Sequence, residues 1–322
     1  MRRVHKNEKR SNATIQALQS EKDNIMHLVC YRIHLIPYQD LLSTCFKDIN
    51  IKEKRHKLFE RSLINNINIF HETPQISKRK KQCSASLVWE SEDKTQIFFR
   101  FGKERNTEIR DREFHLSNKV INWDVYLDIL IDLKAQIIAV EKNSKLSFGA
   151  LNDLLFSRIK AELANNNIEL KFIPMAEITN FWRFIQENQN NISELEVEVF
   201  APNMPANSRP ANKVLTEVRA DFGADSAKLK AVKTHGSLKL SKDNEDVQGF
   251  AALSQEGIGY VGMKTQANED HQAKIYNSRT GKVQKNIECD KKQLDTSTEA
   301  GDYTYLTKII NKIEKLIKGS SS

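Results

Sequence analysis

The chain has 322 residues, 50 Lys+Arg against 42 Asp+Glu, a formal net charge of +8 and 39% hydrophobic residues. That length accommodates about two compact units, and its 15 Phe with abundant Ile and Leu can build packed cores, which excludes a chain disordered throughout. No apolar run approaches the roughly 20 residues that cross a bilayer. Four cysteines (Cys30, Cys45, Cys83, Cys289) stand apart without a CxxC pair, which excludes a disulfide scaffold or a local zinc knuckle and fits a cytoplasmic protein.

Residues 1–27 read as a basic flexible arm. In Leu28–Pro37, Val29, Tyr31, Ile33 and Leu35 alternate with Cys30, Arg32 and His34, which predicts a half-buried strand ended by proline. Leu41, Leu42, Cys45, Phe46 and Ile49 recur at helical spacing, and the basic stretch 52–61 continues a helix with Leu58, Leu63 and Ile64 inside. Residues 71–82 are a polar connector. Ser84–Trp89 and Gln96–Phe101 flank Glu92-Asp93-Lys94 as a hairpin does, and Thr107–Leu116 adds a third strand. Val120–Leu133, apolar at mixed spacing, is read as a helix, and Gln136–Val140 as a short strand. Leu151, Leu154, Leu155, Ile159 and Leu163 predict a helix over Ser147–Asn165. Ile168–Pro174 is a strand, Ile178–Gln186 a helix, and Leu195–Phe200 a strand whose other face carries Glu194, Glu196 and Glu198.

Ala201–Asn212 holds three of the six prolines and reads as a linker. Beyond it come a short helix (Asn212–Asp221), a strand or hairpin (Lys228–Leu240), a helix (Asp246–Gln255) and a glycine-rich strand, GIGYVGMK (Gly257–Lys264). Strands at Ala273–Tyr276 and Lys282–Glu288 precede a helical tail, Tyr303–Lys318. Its apolar side (Leu306, Ile309, Ile310, Ile313, Leu316, Ile317) suits either a dimer seam or packing on its own domain. The pattern predicts an α+β fold of mixed, largely antiparallel sheets with flanking helices in two domains, 28–200 and 213–318.

The charge is concentrated. Residues 1–10, 52–61 and 78–81 together carry +11, so the rest of the chain nets −3. Clustered cations gain most from releasing the counterions condensed on a polyanion. The candidate phosphate contacts are Lys54, Arg55, Lys57 and Arg61, the run Lys78-Arg79-Lys80-Lys81, and Lys228 with Lys230 on a strand face. An ordinary solvated surface is the competing use of these cations.

No catalytic constellation emerges, and no cofactor or metal is expected. Gly257-x-Gly259-x-x-Gly262 matches the dinucleotide fingerprint formally but lies inside a strand, where glycines mark a bulge or a close backbone approach. Arg110 and His115 have the spacing of an Arg/His ribonuclease motif, yet side chains five apart on a strand diverge. Glu141-Lys142 lacks the intervening residue of a restriction-type Glu-x-Lys, and Asp270-His271 is no complete metal site. No GxSxG, Walker A or HExxH occurs. The aromatic groups Phe98-Phe99-Phe101 and Phe181-Trp182-Phe184 suit core packing better than base stacking.

The order of parts resembles RexA-like phage-exclusion and anti-phage defence proteins, and more distantly KwaB-like proteins. It consists of YRIHLIP (Tyr31–Pro37), LEVEVFAP (Leu195–Pro202), a helix around Asn212–Asp221, GIGYVGMK and a closing Lys-rich helix. The resemblance implies a homodimeric protein that binds DNA with little sequence preference and restricts phage growth by exclusion or abortive infection, alone or with a second defence protein. The alternatives are a nuclease-type toxin whose site assembles from distant residues, and a non-catalytic subunit of a defence complex.

Overall fold

The computed structural model describes residues 24–37, 49–76, 81–110, 116–200, 217, 226–267, 272–280 and 284–318. They form two sheets with flanking helices, an α+β architecture in which every strand pairing among the described residues is antiparallel.

The first sheet is organised around β1 (Ile25–Pro37). Along one edge β1 pairs first with β12 (Asn286–Asp290) and then with β7 (Ile168–Pro174). Its other edge pairs with β6 (Ile137–Glu141). From β6 the sheet continues through β5 (Leu116–Asp132), β4 (Gln96–Arg110) and β3 (Gln82–Glu90) to the short β2 (Gln75–Ile76). Alternation sends Ile33 and Leu35 of β1 to one face and Met26, Leu28 and Cys30 to the other.

Each face is covered by helices. Against the first face pack α1 (Ile49–Glu72), through Phe59, Leu63, Ile67 and Phe70, and α2 (residues 148–164). The latter comprises Phe148–Leu151, a π turn at Asn152–Phe156 and Ser157–Ala164, and starts at Ser147, whose side chain accepts from the Ala150 N–H. On the opposite face lie α5 (Lys291–Glu299) and α6 (Thr304–Lys318). In α6, Leu306, Ile309, Ile310 and Ile313 are all buried against this sheet. Of the two uses the sequence left open for that stripe, the chain's own fold takes the four; the side chains of Leu316 and Ile317 lie outside the described set.

The second sheet runs β11 (Ile275–Asn277), β10 (Gly259–Thr265), β8 (Ile192–Phe200), β9 (Ser226–Val232). Leu195, Val197, Val199, Val261 and Met263 bury one face under α3 (Ile178–Glu187) and α4 (Glu245–Gln255). The other face carries the charged residues of β8, β9 and β10.

Three expectations need correction. Val120–Leu133 is not a helix but strand β5 as far as Asp132, paired with β4 across a bulge at Lys103/Arg105 and with β6 at its end. A central strand covered on both faces loses its alternation, so its apolar spacing mimics no single period. The sheets also do not divide at 201–212, a segment outside the described residues. Instead β8 belongs to the second sheet, while β12, α5 and α6 complete the first. Proline content reports local chain stiffness, whereas sheet membership is set by pairing between distant segments. Finally, β1 begins at Ile25, inside the expected arm, because β12 extends alongside it.

The sheets meet where β1 passes the turn after α4. Arg32 donates from Nε to the Glu256 carbonyl (2.8 Å) and from Nη1 to that of Ala135 (2.7 Å). Gly257 has φ +65°, and a Cβ there would lie 2.8 Å from Arg32 Cβ and 3.1 Å from the Ile173 carbonyl oxygen. A Cβ on Gly259 would fall 2.5 Å from the Glu198 carbonyl oxygen. The first two glycines of the fingerprint thus serve close backbone approach.

Candidate nucleic-acid interface

The apolar stripe of α1 faces the sheet, so its polar residues point outward. Lys54, Lys57 and Arg61 are exposed, three and four residues apart, and therefore share one side of the helix. At about 1.5 Å rise per residue their backbones span about 10 Å, a stretch that faces roughly three phosphates of one strand. Lys54 and Arg61 form no ion pair among the described residues.

Two grooves flank this side. One, of about 390 Å³, is lined by His56, Lys57, Glu60, Lys94 and Lys134; the other, of about 710 Å³, by Glu60, Arg61, Asn65, Lys94 and Glu162. Lys94 sits at φ +54° in the β3–β4 turn, and Lys134 follows β5. Sequence reasoning missed both as members of this surface, because a hairpin turn and a strand end bring them to α1 from 30 or more residues away. The cations are tempered: Lys134 Nζ lies 2.6 Å from Asp93 Oδ2, Glu60, whose carboxyl is pushed up by burial, sits between the grooves, and Glu90 and Glu162 join it in the larger groove against Arg61 and Lys94. The helix is held in place by α2, where Glu162 accepts from Ser62 Oγ and from Asn66 Nδ2 (2.8 Å).

The remaining candidates are distributed differently. Arg55 turns inward and donates to the Leu35 carbonyl (3.0 Å), with burial lowering its pKa. Lys81 is half-buried at the start of β3, and Lys78, Arg79 and Lys80 lie outside the described residues. Lys81 is separated from Lys54 by nearly the whole of α1, about 27 Å from Lys54 to the helix end. Lys228 and Lys230 stand on the exposed face of β9, but each is bridged diagonally to β8: Lys228 to Glu196 at 2.8 Å and Lys230 to Glu194 at 3.0 Å. Lys264 of β10 adds a second, longer approach to Glu194 (3.8 Å). The acidic face of β8 is thus neutralised by its neighbours.

A separate ionic cluster fastens α5 to the first sheet. Asp128 is fully buried and accepts from Arg100 Nε (3.0 Å) and from Lys291 Nζ. Lys291 also reaches Glu141 (3.0 Å) and lies 4.2 Å from the Tyr126 ring centre, while Asp295 accepts from Arg100 and Tyr126. Carboxylates on adjacent strands beside a lysine have the composition of a metal-dependent nuclease site. Here the ammonium occupies the space between them. Among the described residues no group of three or more His, Cys, Asp or Glu is arranged to hold a metal ion.

Nucleophile chemistry is likewise muted. Burial raises the pKa of the Cys30 thiol to about 12 and those of Cys83 and Cys289 to about 11, so all three stay protonated; Cys45 lies outside the described residues. His115, the partner of Arg110 in the ribonuclease-like spacing, is also outside them. No helix among the described residues is long and apolar enough to cross a membrane. No protein-family model matches the sequence. A comparison with characterised proteins gives no significant match either.

Proposed function

We propose that this protein binds nucleic acid through its phosphate backbone, with little sequence preference and without catalysis of its own. The observation that carries the reading is the exposed row Lys54, Lys57 and Arg61 on α1, beside a smaller groove that Lys94 and Lys134 also line. A rigid helix presenting cations at phosphate-like intervals contacts the backbone and ignores base identity. The resemblance to phage-exclusion proteins supplies the setting, a cytoplasmic role in anti-phage defence with DNA as the polyanion and a homodimer as the binding form.

Fluorescence anisotropy with unrelated DNA duplexes over a range of salt tests this. The expected result is equal affinity for the different sequences and a log–log salt slope that falls by about 1 for each of Lys54→Gln, Lys57→Gln and Arg61→Gln. Salt-insensitive binding, or a slope untouched by these substitutions, contradicts it. Turnover of DNA or RNA with Mg²⁺ would favour the nuclease reading instead.

A further inference from the structure

A cleft of about 840 Å³ lies between the outer side of α2, the strand β7 and the charged face of the second sheet. Its volume falls within the range of about 300–1,000 Å³ typical of small-molecule sites. Three cations from three separate elements line it: Lys160 of α2, Lys171 of β7 and Arg279 of the turn after β11. They differ in how they are held. Lys171 pairs with Glu169 (2.9 Å), and Arg279 pairs with Glu198. Lys160 has no ion pair among the described residues; it donates to the neutral side-chain amide oxygen Oδ1 of Asn152 (2.7 Å) and stands 5.7 Å from the centre of the Phe172 ring. An ammonium has three donors, of which one is taken by Asn152; burial lowers the Lys160 pKa, and the nearby Asp153 and Glu169 carboxylates act in the opposite sense.

Flat surfaces accompany the cations. The Arg279 guanidinium carbon lies 3.6 Å from the Tyr260 ring centre and is kept there by Glu198, while Arg279 stays about half exposed. Across the cleft Phe172 and Phe148 meet edge to face at 5.6 Å, and Phe148 is stacked on Tyr31 at 4.3 Å. Asn152, which orients Lys160, opens the π turn of α2, a departure from regular helix that occurs frequently at functional sites.

We propose that this cleft is a nucleotide site: Lys160 and Lys171 take the phosphate, and the Arg279–Tyr260 platform takes the base. Cations and stacking surfaces together fit a ligand that is anionic at one end and aromatic at the other. The shared chemistry is one nucleoside phosphate unit, whether free in solution or at the end of a single strand. The site is distinct from the α1 surface. Glu162 of α2 faces α1, whereas Lys160 and Ala161 face the cleft.

Calorimetric titration of the full chain decides the matter, using adenosine and guanosine 5′-monophosphates, a short single-stranded oligonucleotide, inorganic phosphate and unphosphorylated adenosine. The expected result is binding of the monophosphates or the oligonucleotide about tenfold or more tighter than phosphate or adenosine alone. Binding by the monophosphates identifies a free nucleotide as the source, and binding by the oligonucleotide alone identifies a strand end. Lys160→Gln and Arg279→Gln should each weaken binding about tenfold, Lys160→Arg should retain it, and the triple α1 substitution to Gln should leave it within about twofold. No nucleotide or oligonucleotide binding up to about 1 mM, where the binding free energy is only about 4 kcal/mol, overturns the proposal. Binding of phosphate as tight as that of nucleotide, or affinity unchanged in Lys160→Gln, overturns it equally. Because the α1 variants are read separately on duplex DNA, failure here is distinguishable from failure of the phosphate-track reading.

Discussion

His34 of the first sheet donates its Nε2–H to the carbonyl oxygen of Gly257 at 2.8 Å, at the head of the second sheet. The ring is fully buried and its Nδ1 has no hydrogen-bond partner among the described residues, so burial favours the neutral imidazole. Burial lowers its pKa to about 4, against the opposing effect of the Gly257 carbonyl and with help from Arg32 and Lys171.

This gives a pH dependence of definite sign. The unfolded chain binds a proton at His34 below pH about 6.5, whereas the folded chain resists until about 4. His34 therefore leaves stability intact above pH 6.5 and subtracts from it as pH falls through that window, by up to roughly 3 kcal/mol. Urea midpoints between pH 7 and 4 should fall more steeply for the native chain than for His34→Gln. Parallel curves would show that the ring does not carry the effect.

Gly257→Ala should weaken the same junction from the other side. The left-handed φ and the approach of Arg32 Cβ and the Ile173 carbonyl leave a methyl no room, so about 2 kcal/mol or more should be lost. Gly301→Ala, with a similar φ of +71° but open space around it, isolates the backbone cost from the clash. Comparable thermal midpoints for the two variants would refute the crowding argument.

Lys291→Met should destabilise by about 3–5 kcal/mol, since it leaves Asp128 and Glu141 buried with only Arg100 to balance them. Lys228→Ala removes a pair in which both partners are about half exposed, and should cost at most about 1 kcal/mol. Equilibrium unfolding ranks the two, and equal losses would contradict the distinction in burial. Lys228→Ala should also leave DNA affinity almost unchanged, unlike substitutions at Lys54 or Arg61.

Ile309→Ala should cost about 2–5 kcal/mol, because Ile309 is buried against the first sheet. Sedimentation of this variant should report the same mass in solution as the native chain. A variant that loses mass but not stability would mean that the stripe is a seam between copies.

The sequence was most informative where one face of an element meets water. The stripe of α6 and the alternation of β7 and β8 appear within a few residues of where periodicity puts them. Legibility failed where both faces are covered, as in β5. It failed again at α5, where only Leu294 and Thr298 are buried and the helix is fastened mainly by Lys291 and Asp295. Strand periodicity revealed that Lys228 and Lys230 share a face but not that Glu194 and Glu196 lie beside them. The α1 row was visible as charge, whereas Lys94 and Lys134 needed the hairpin and the strand end to place them.

The placement of β12 along the leading half of β1 has a bearing on how the molecule is made. Met26, Leu28 and Cys30 leave the ribosome well before the layer that shields them, Ile287 with α5 and α6, which lies about 260 residues further along the chain. The first sheet therefore cannot close until β12, α5 and α6 have been made, and a nascent chain cut off before them would carry a greasy, unshielded flank prone to aggregate.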